Sequence, residues 1–375
     1  MSSSPQTDVL IAGAGPVGLT LAAALTARGL GVTIVDRAAE GANTSRAAVI
    51  HARTLEVLES VGVADEIVER GVIVPRFTVR DRDRQLMTID FGGLPTAYPY
   101  TLMLPQSETE RILAGRLTQL GVSVRRPAEV AGARPDADGV TVTLTGGETV
   151  RARYLVGADG MHSTVRELSG IGFTGDRYAH SFVLADVRMD WDLPGDEVML
   201  YFSPAGLVVV APLPDGRHRI VATLDQAPEQ PTLDDVQALL DTRGPERVPA
   251  RVREVVWSSR FRVHHRLADH YRNGRIFLAG DAAHVHSPAG GQGMNTGIQD
   301  AVDLAAVLAD GTDLDGYERR RRPVAAGVVA MTDRMTRVAT SRNRLLTGLL
   351  PLAGRLPVVR RRLAMRLSEL STIAA

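Results

Sequence analysis

The chain opens on a run of apolar positions interrupted by glycine. Residues 8–12 (DVLIA) form a short β-rich apolar run ending in glycines, the pattern of a buried parallel strand. Gly13-Ala14-Gly15-Pro16-Val17-Gly18 follows, and residues 19–28 then read as a helix that stops at Gly29 and Gly31. Residues 32–35 are a second apolar strand with Asp36 at its end, so the segment predicts a βαβ unit. Residues 9–27 carry no charge, and a hydropathy window of ~19 residues would take them for a membrane span. Gly13, Gly15, Pro16 and Gly18 instead split them into a strand, a turn and a helix.

Further along, residues 45–62 read as an irregular start and then a helix, with Leu55, Leu58 and Val61 at helical spacing. Residues 77–79 and 86–91 predict a hairpin around 81–84, and residues 140–144 and 150–156 a second one around Gly146-Gly147. Between them, 108–120 is a helix with Ile112, Leu113 and Leu117 on one face. From Phe182 the pattern becomes successive short strands, 182–188, 198–202, 207–211 and 219–224, separated by Pro- and Gly-containing turns. That predicts an antiparallel sheet unlike the mixed region before it. A short helix (232–240), a closing strand (255–263), a buried strand (275–278) and an apolar-faced helix (298–309) follow. From about Met331 the chain reads as helical and basic, with nine Arg against Asp333 and Glu369. The charges are interspersed, as on helices packed against the body with a solvated face.

Composition narrows the chemistry. The 375 residues are 44% hydrophobic and 23% charged, enough apolar material for a sizeable core, and the net charge is +0, with no global pull toward nucleic acid. There is no Cys, which excludes disulfides, zinc–thiolate sites, iron–sulfur clusters and thiol nucleophiles. All 43 basic positions are Arg, so a P-loop lysine and Schiff-base chemistry are also excluded. No signal peptide is visible at the N-terminus, and the expected location is the cytoplasm.

Each glycine of the first turn has a physical task. Gly13 allows the tight turn after the strand, Gly15 lets the backbone approach a pyrophosphate, and Gly18 lets helix and strand pack closely. The helix N-terminus supplies N–H groups and a positive dipole end. Asp36, 18 residues beyond Gly18, is placed to accept from a ribose hydroxyl. This motif alone does not separate NAD from FAD.

Two later segments decide. Asp159-Gly160-Met161-His162-Ser163-Thr164-Val165-Arg166 matches DGxxSxVR, and Gly280-Asp281-Ala282-Ala283-His284 continues into Pro288-Ala289-Gly290-Gly291-Gln292-Gly293-Met294-Asn295-Thr296-Gly297. With the first motif, in this order, they resemble the class A flavoprotein aromatic hydroxylases, the p-hydroxybenzoate hydroxylase family, over residues 8–322.

The resemblance implies an α/β fold: a discontinuous Rossmann-type FAD-binding domain (1–71, 98–171 and 268–330), an inserted antiparallel-sheet substrate domain (72–97 and 172–267) and C-terminal helices (331–375). It implies FAD held by Gly13, Gly15, Pro16, Val17 and Gly18 at the pyrophosphate and by Asp36 at the adenosine ribose. The family often has Glu there, and here Arg37 follows the shorter Asp. It further places Gln106 near the flavin and ribitol, Val130 beside the adenine, and Asp281, next to Gly280, on the ribitol hydroxyls. Asp159, His162, Ser163 and Arg166 lie in a motif linked to FAD and to transient nicotinamide-cofactor binding. Pro288, Gly290, Gly291, Gly293, Met294 and Asn295 approach the flavin ring. Thr296 with Gln299 fits a capping box for a helix whose N-terminus points at the flavin N1–C2=O edge, where the reduced ring carries charge.

The activity implied is a monooxygenase. NADPH or NADH reduces FAD and leaves, O2 adds to give a C4a-hydroperoxide, and its distal oxygen passes to a phenolic or polyketide-type ring. Arg46 resembles a mobile arginine near the flavin, in a segment (Asn43-Thr44-Ser45) without strong helix signals, and it implies reduction gated by substrate. Tyr201 could assist deprotonation of a phenol or simply pack, and Pro288 fixes the loop. His264 and His265 are neighbours on a strand and cannot both face one site. Epoxidation, Baeyer–Villiger insertion, simple oxidation and an inactive FAD-binding partner remain open. A flavin-dependent halogenase is disfavoured, since those enzymes carry a catalytic lysine and a WxWxI motif, whereas here there is no Lys and the only tryptophans are Trp191 and Trp257. The expected partners are a small aromatic substrate, NAD(P)H and O2, in a monomer or homodimer with no membrane span and no metal. Longer members of the family carry a thioredoxin-like C-terminal domain, and the resemblance leads to the expectation that this chain is a short member without one.

Overall fold

In the computed structural model the described residues are 6–41, 47–203, 205–224, 226–340 and 354–372. The helices are α1 (Pro16–Thr26), α2 (Ala52–Glu59), α3 (Ala64–Arg70), α4 (Gln106–Gln119), α5 (Thr164–Ser169), α6 (Leu233–Arg243), α7 (Gln292–Asp310), α8 (Asp315–Thr340) and α9 (Pro357–Leu367).

The N-terminal strand Thr7–Ala12 is the centre of the first sheet. It pairs in parallel with Val32–Val35 on one side and Thr149–Gly157 on the other, with Val9 opposite both Val32 and Tyr154. Ile276–Leu278 and Val124–Arg125 extend the parallel array outward. Valine, leucine and isoleucine dominate these strands because both faces are covered; Val9, Leu10 and Ile11 are all 0% exposed. The hairpin of Val140–Leu144 with Thr149–Gly157 forms as expected, and Val130–Pro135 adds a third strand beside it. A small sheet joins Val49–Ile50, Thr101–Met103 and Val72–Val74.

The second large sheet runs, edge to edge, His284–Val285, Arg251–Ala268, Phe173–Asp190, His218–Leu224, Gly206–Pro212, Glu197–Ser203, Arg76–Asp81 and Arg84–Asp90. It is antiparallel except that Glu197–Ser203 runs parallel to Arg76–Asp81. Two strands are far longer than their apolar cores suggest. Phe173–Asp190 and Arg251–Ala268 pair from Phe173↔Ala268 to Asp190↔Arg251. Their polar ends lack apolar alternation, so pairing, not pattern, extends them.

The faces of this sheet alternate with period two. Val183, Ala185, Val187, Tyr201, Val208, Val210, Ile220 and Ala222 pack against Val236, Leu239 and Leu240 of α6. The opposite face carries Phe182, Leu184, Asp186, Arg219, Val209 and Val221. Thr232 caps α6 reciprocally: its hydroxyl accepts from the Asp235 N–H while Asp235 Oδ2 accepts from the Thr232 N–H at 2.8 Å.

Two local expectations fail. The helix α7 begins at Gln292, not after Thr296, with Gly291 as its N-cap at φ +66°. Thr296 sits in its second turn and donates to the Gln292 carbonyl at 3.0 Å, so there is no Thr296–Gln299 capping box. A glycine-rich start hides the helix because Gly is a weak helix former. The helical tail begins at Asp315, well before Met331, and continues through Pro323 inside α8. No helix among the described residues is long and apolar enough to cross a membrane.

Candidate cofactor site

The three motifs meet, and glycine is what lets them. Gly13 has φ +102°, and a Cβ there would lie 2.2 Å from the Ala158 carbonyl oxygen. A Cβ on Gly18 would lie 1.9 Å from the Gly13 oxygen. Val17 is wedged between Gly280 and Gly297, whose added Cβ atoms would lie 2.8 and 2.6 Å from its Cγ2. No side chain fits at these four positions. Gly15 is the opposite case: nothing stands within 4 Å of where its Cβ would be, and as N-cap of α1 it makes no side-chain cap. Pro16 opens the helix at its first position. Uncapped N–H groups at a helix start, facing open space, suit a pyrophosphate.

Polar groups fix this junction. Asp159 Oδ1 accepts from the Ser163 hydroxyl at 2.5 Å and Oδ2 from the Val165 N–H at 3.1 Å; burial pushes its carboxyl above the ordinary range. Ser163 caps α5 by accepting from the Arg166 N–H. Arg166 is buried; it donates to the Ala282 carbonyl at 3.0 Å and the Met161 carbonyl at 2.9 Å, and lies 4.0 Å over the Phe173 ring. Arg166 ties the second motif to the third, and Asp159 and Ser163 brace the second from within. His162 is exposed.

Asp36 accepts from the Ala14 N–H at 2.7 Å, from the Ala38 N–H at 2.8 Å and from Arg126 at 3.0 Å. A carboxylate offers about four acceptor positions, so one remains for a ribose hydroxyl. Arg37 is exposed. Arg126, which also donates to the Glu40 carbonyl at 2.9 Å, had no sequence signal, because its partners lie some 90 residues away and only the fold joins them. Asp281 stands exposed on a turn whose neighbours Gly280 and Ala282 are buried. Val130 is buried at the start of its strand. These residues fit an extended dinucleotide: a basic and acidic rim at one end, free helix N–H groups, and an accessible acid at the other.

Gln106 begins α4. Its Oε1 accepts from the Ala47 N–H at 3.2 Å, its own N–H donates to the Ala47 carbonyl at 3.0 Å, and its Nε2 donates to Glu110 at 2.8 Å. Arg46 lies outside the described residues. Its neighbour Ala47 also accepts from Arg219 at 2.8 Å, and Arg219 makes a buried two-pronged pair with Asp186 at 2.7 and 2.8 Å. Neither Arg219 nor Asp186 was singled out from sequence.

The loop before α7 is equally constrained. The Gly291 N–H donates to the Pro288 carbonyl at 2.9 Å, and a Cβ on Gly291 would lie 2.7 Å from that of Val49. A Cβ on Gly293 would stand 3.7 Å from the His286 ring. Met294 packs on the core around the Thr7–Ala12 strand and α1, and Pro288 is half-buried. Asn295 is buried; it accepts from the His51 N–H at 2.8 Å and donates to the Val49 and Gly291 carbonyls at 2.8 and 2.7 Å. His51 Nε2 donates to the Gly290 carbonyl at 2.7 Å, and burial lowers its pKa to about 4, so the ring is neutral.

Leu367 and Glu369 close the back of this loop. Gln292 donates to the Leu367 carbonyl at 3.1 Å, and Glu369 accepts from Thr296 at 3.1 Å and from Gln299. Burial pushes the Glu369 carboxyl up to about 7.

Tyr201 does not reach the site. Its ring lies in the α6-facing core with Trp191 6.3 Å away, and its hydroxyl donates to Met199 Sδ at 3.3 Å. One residue of register decides this, since Leu200 and Phe202 take the other face. The pKa of His264 is lowered by burial first and then by the nearby Arg266 and Arg177 guanidinium groups.

Residues 6–332 match the FAD binding domain family, and the chain belongs to it. The chain is 45% identical over 357 residues to 6-methylpretetramide 4-monooxygenase of Streptomyces rimosus, covering 90% of this chain and 64% of that protein. It therefore spans under two thirds of that relative's length. Among solved structures it resembles an anhydrotetracycline hydroxylase from Streptomyces rimosus (36% identity, TM-score 0.81, covering 97% of this chain and 76% of that one). It also resembles p-nitrophenol 4-monooxygenase from Pseudomonas putida (27% identity, TM-score 0.87, covering 100% of both). The fold is that of the aromatic hydroxylases, and FAD is the cofactor the site fits.

Proposed function

We propose that this protein is an FAD-dependent monooxygenase that consumes NADPH or NADH and O2 to hydroxylate a phenolic, polyketide-type aromatic molecule. The observation that carries this reading is the meeting of three motifs at the Gly13–Gly18 turn, with open space over the start of α1 and an exposed Asp281 beside it. The similar proteins, named as a 6-methylpretetramide monooxygenase, an anhydrotetracycline hydroxylase and a p-nitrophenol monooxygenase, support the reaction type.

FAD supplies the redox chemistry that activates O2. The chain's own residues would bind and orient it. The α1 N-terminus would receive the pyrophosphate, Asp36 the ribose and Asp281 the ribitol. The uncapped first turn of α7 would offer N–H groups to the edge of the ring that becomes negative on reduction. The sheet face carrying Phe182, Leu184, Val209 and Val221 would seat an aromatic substrate and exclude water. The residue divisions 1–71, 98–171 and 268–330 for the cofactor, and 72–97 and 172–267 for the substrate, belong to the same proposal. Arg177 and Arg266, which lie near His264, would suit the phosphates of a transient nicotinamide nucleotide.

The test is direct. The protein should purify yellow and release FAD on acid denaturation. It should oxidise NAD(P)H slowly alone and at least about tenfold faster with one member of a panel of anhydrotetracycline, 6-methylpretetramide and simple phenols, a barrier change of ~1.4 kcal/mol. Colourless protein, or flavin that remains with the precipitate, contradicts the reading.

A further inference from the structure

We propose that Asp300 is a positioning residue for the flavin: it fixes the turn that carries Asp281 at a set distance from the first turn of α7. The inference rests on the FAD reading above and concerns a residue that does not itself reach the cofactor groove.

Asp300 lies two turns into α7 and is 0% exposed. Its Oδ2 accepts from His284 Nε2 at 2.6 Å, with the Gly280 N–H at 3.4 Å, and its Oδ1 accepts from Arg321 Nε at 2.6 Å. Arg321 belongs to α8 and also donates to the Thr296 carbonyl of α7 at 3.1 Å. His284 is 0% exposed, its ring stacked between Tyr271 at 6.3 Å and His286 at 6.1 Å. Burial opposes charge on Asp300, but Arg321 and His284 outweigh it and hold the carboxyl below its ordinary range.

A buried ion cluster of this kind is a poor source of net stability, since apolar residues of equal volume often serve as well. Its geometry has another consequence. Gly280 and His284 flank Asp281 on either side, so one carboxylate grips both ends of the turn that presents the acid. That same carboxylate is rigidly part of α7, whose uncapped first turn faces the glycine loop. Asp281 and the α7 N–H groups would contact opposite parts of one bound flavin. If the turn slides, the ring cannot satisfy both. The reduced ring, carrying charge at the α7 end, loses more than the oxidised one.

The test compares Asp300→Asn, His284→Asn and Asp281→Asn with the wild type. FAD affinity is read by fluorescence titration of apoprotein, the midpoint potential of bound FAD by dye equilibration, and apoprotein stability by thermal unfolding. For Asp300→Asn we expect FAD binding weakened at least about tenfold. We also expect the potential to fall by ~30 mV, which for two electrons is a further tenfold loss of reduced over oxidised flavin. His284→Asn, which keeps the Asp300–Arg321 pair, should move both readings in the same direction and by less, and it decides alone if Asp300→Asn does not fold. Asp281→Asn should weaken FAD binding with unchanged apoprotein stability. If the Asp300 and His284 variants lower thermal stability yet keep affinity within about twofold and an unaltered potential, the cluster only holds the fold and the proposal is overturned. A wild type that takes up no FAD would overturn the underlying reading instead.

Discussion

The cofactor groove and the inner face of the large sheet are built on different rules. In the groove, Gly13, Gly18, Gly280 and Gly297 each sit where a Cβ would overlap a neighbour. The polar groups around them are tied off in pairs, such as Arg166 to the Ala282 carbonyl. Almost nothing there can change. The sheet face opposite α6, apart from its buried Asp186–Arg219 pair, is instead a surface of ordinary side chains: Phe182 stacked on Phe261 at 5.3 Å, then Leu184, Val209 and Val221. Such positions need only be apolar and of roughly suitable volume. One region therefore tolerates few substitutions and the other many on the same backbone, and under the proposed function the second is where substrate preference would change.

The comparison breaks most sharply at Gly18. In Gly18→Val the Cβ would lie 1.9 Å from the Gly13 oxygen, and the strand–helix turn must shift. We expect loss of FAD binding by about a hundredfold or more and of stability by roughly 3 kcal/mol or more, read by flavin titration and denaturant unfolding.

The second effect lies behind the groove. Glu369 keeps its proton to about pH 7 in the folded protein but only to about 4.5 unfolded. The folded state thus binds more protons between those values. The contribution of Glu369 is fully present below about pH 4.5 and lost as pH rises through 7. Its full size is roughly 3 kcal/mol. His51 and His286, both lowered to about 4 by burial, act in the opposite sense. The difference between wild type and Glu369→Gln isolates the carboxyl: across pH 5 to 8 the variant should gain stability relative to wild type as pH rises. A constant difference would remove Glu369 from the pH response.

Asp281→Ala comes next. It should weaken FAD by about ten- to a hundredfold, ~1–3 kcal/mol from leaving ribitol hydroxyls unpaired. Its exposed position should leave apoprotein stability unchanged. The smallest effect is Tyr201→Phe, which removes one hydroxyl–sulfur contact in the α6 core. Stability should fall by under ~1 kcal/mol and substrate turnover should not change. A large loss of turnover would return Tyr201 to the site.

The same contrast explains what could be read in advance. The βαβ unit and the three motifs were legible because close backbone approach leaves glycine as the sole solution, and glycine is visible in a sequence. The ties between motifs were not. His51 meets Asn295 across 244 positions and Arg166 meets Ala282 across 116, and nothing local marks either pair. The face taken by Tyr201 depends on a register that a single bulge can reverse. The start of α7 was obscured by its own glycines, and the reach of the two long strands by their polar ends.

Oxygen insertion is the central claim, and isotope labelling tests it most directly. Turnover under 18O2 with NAD(P)H and the aromatic compound that most stimulates its oxidation should yield a product carrying one 18O atom, with the second oxygen leaving as water. Product that takes its oxygen from water, or NAD(P)H consumption that ends only in peroxide with every compound, would contradict it.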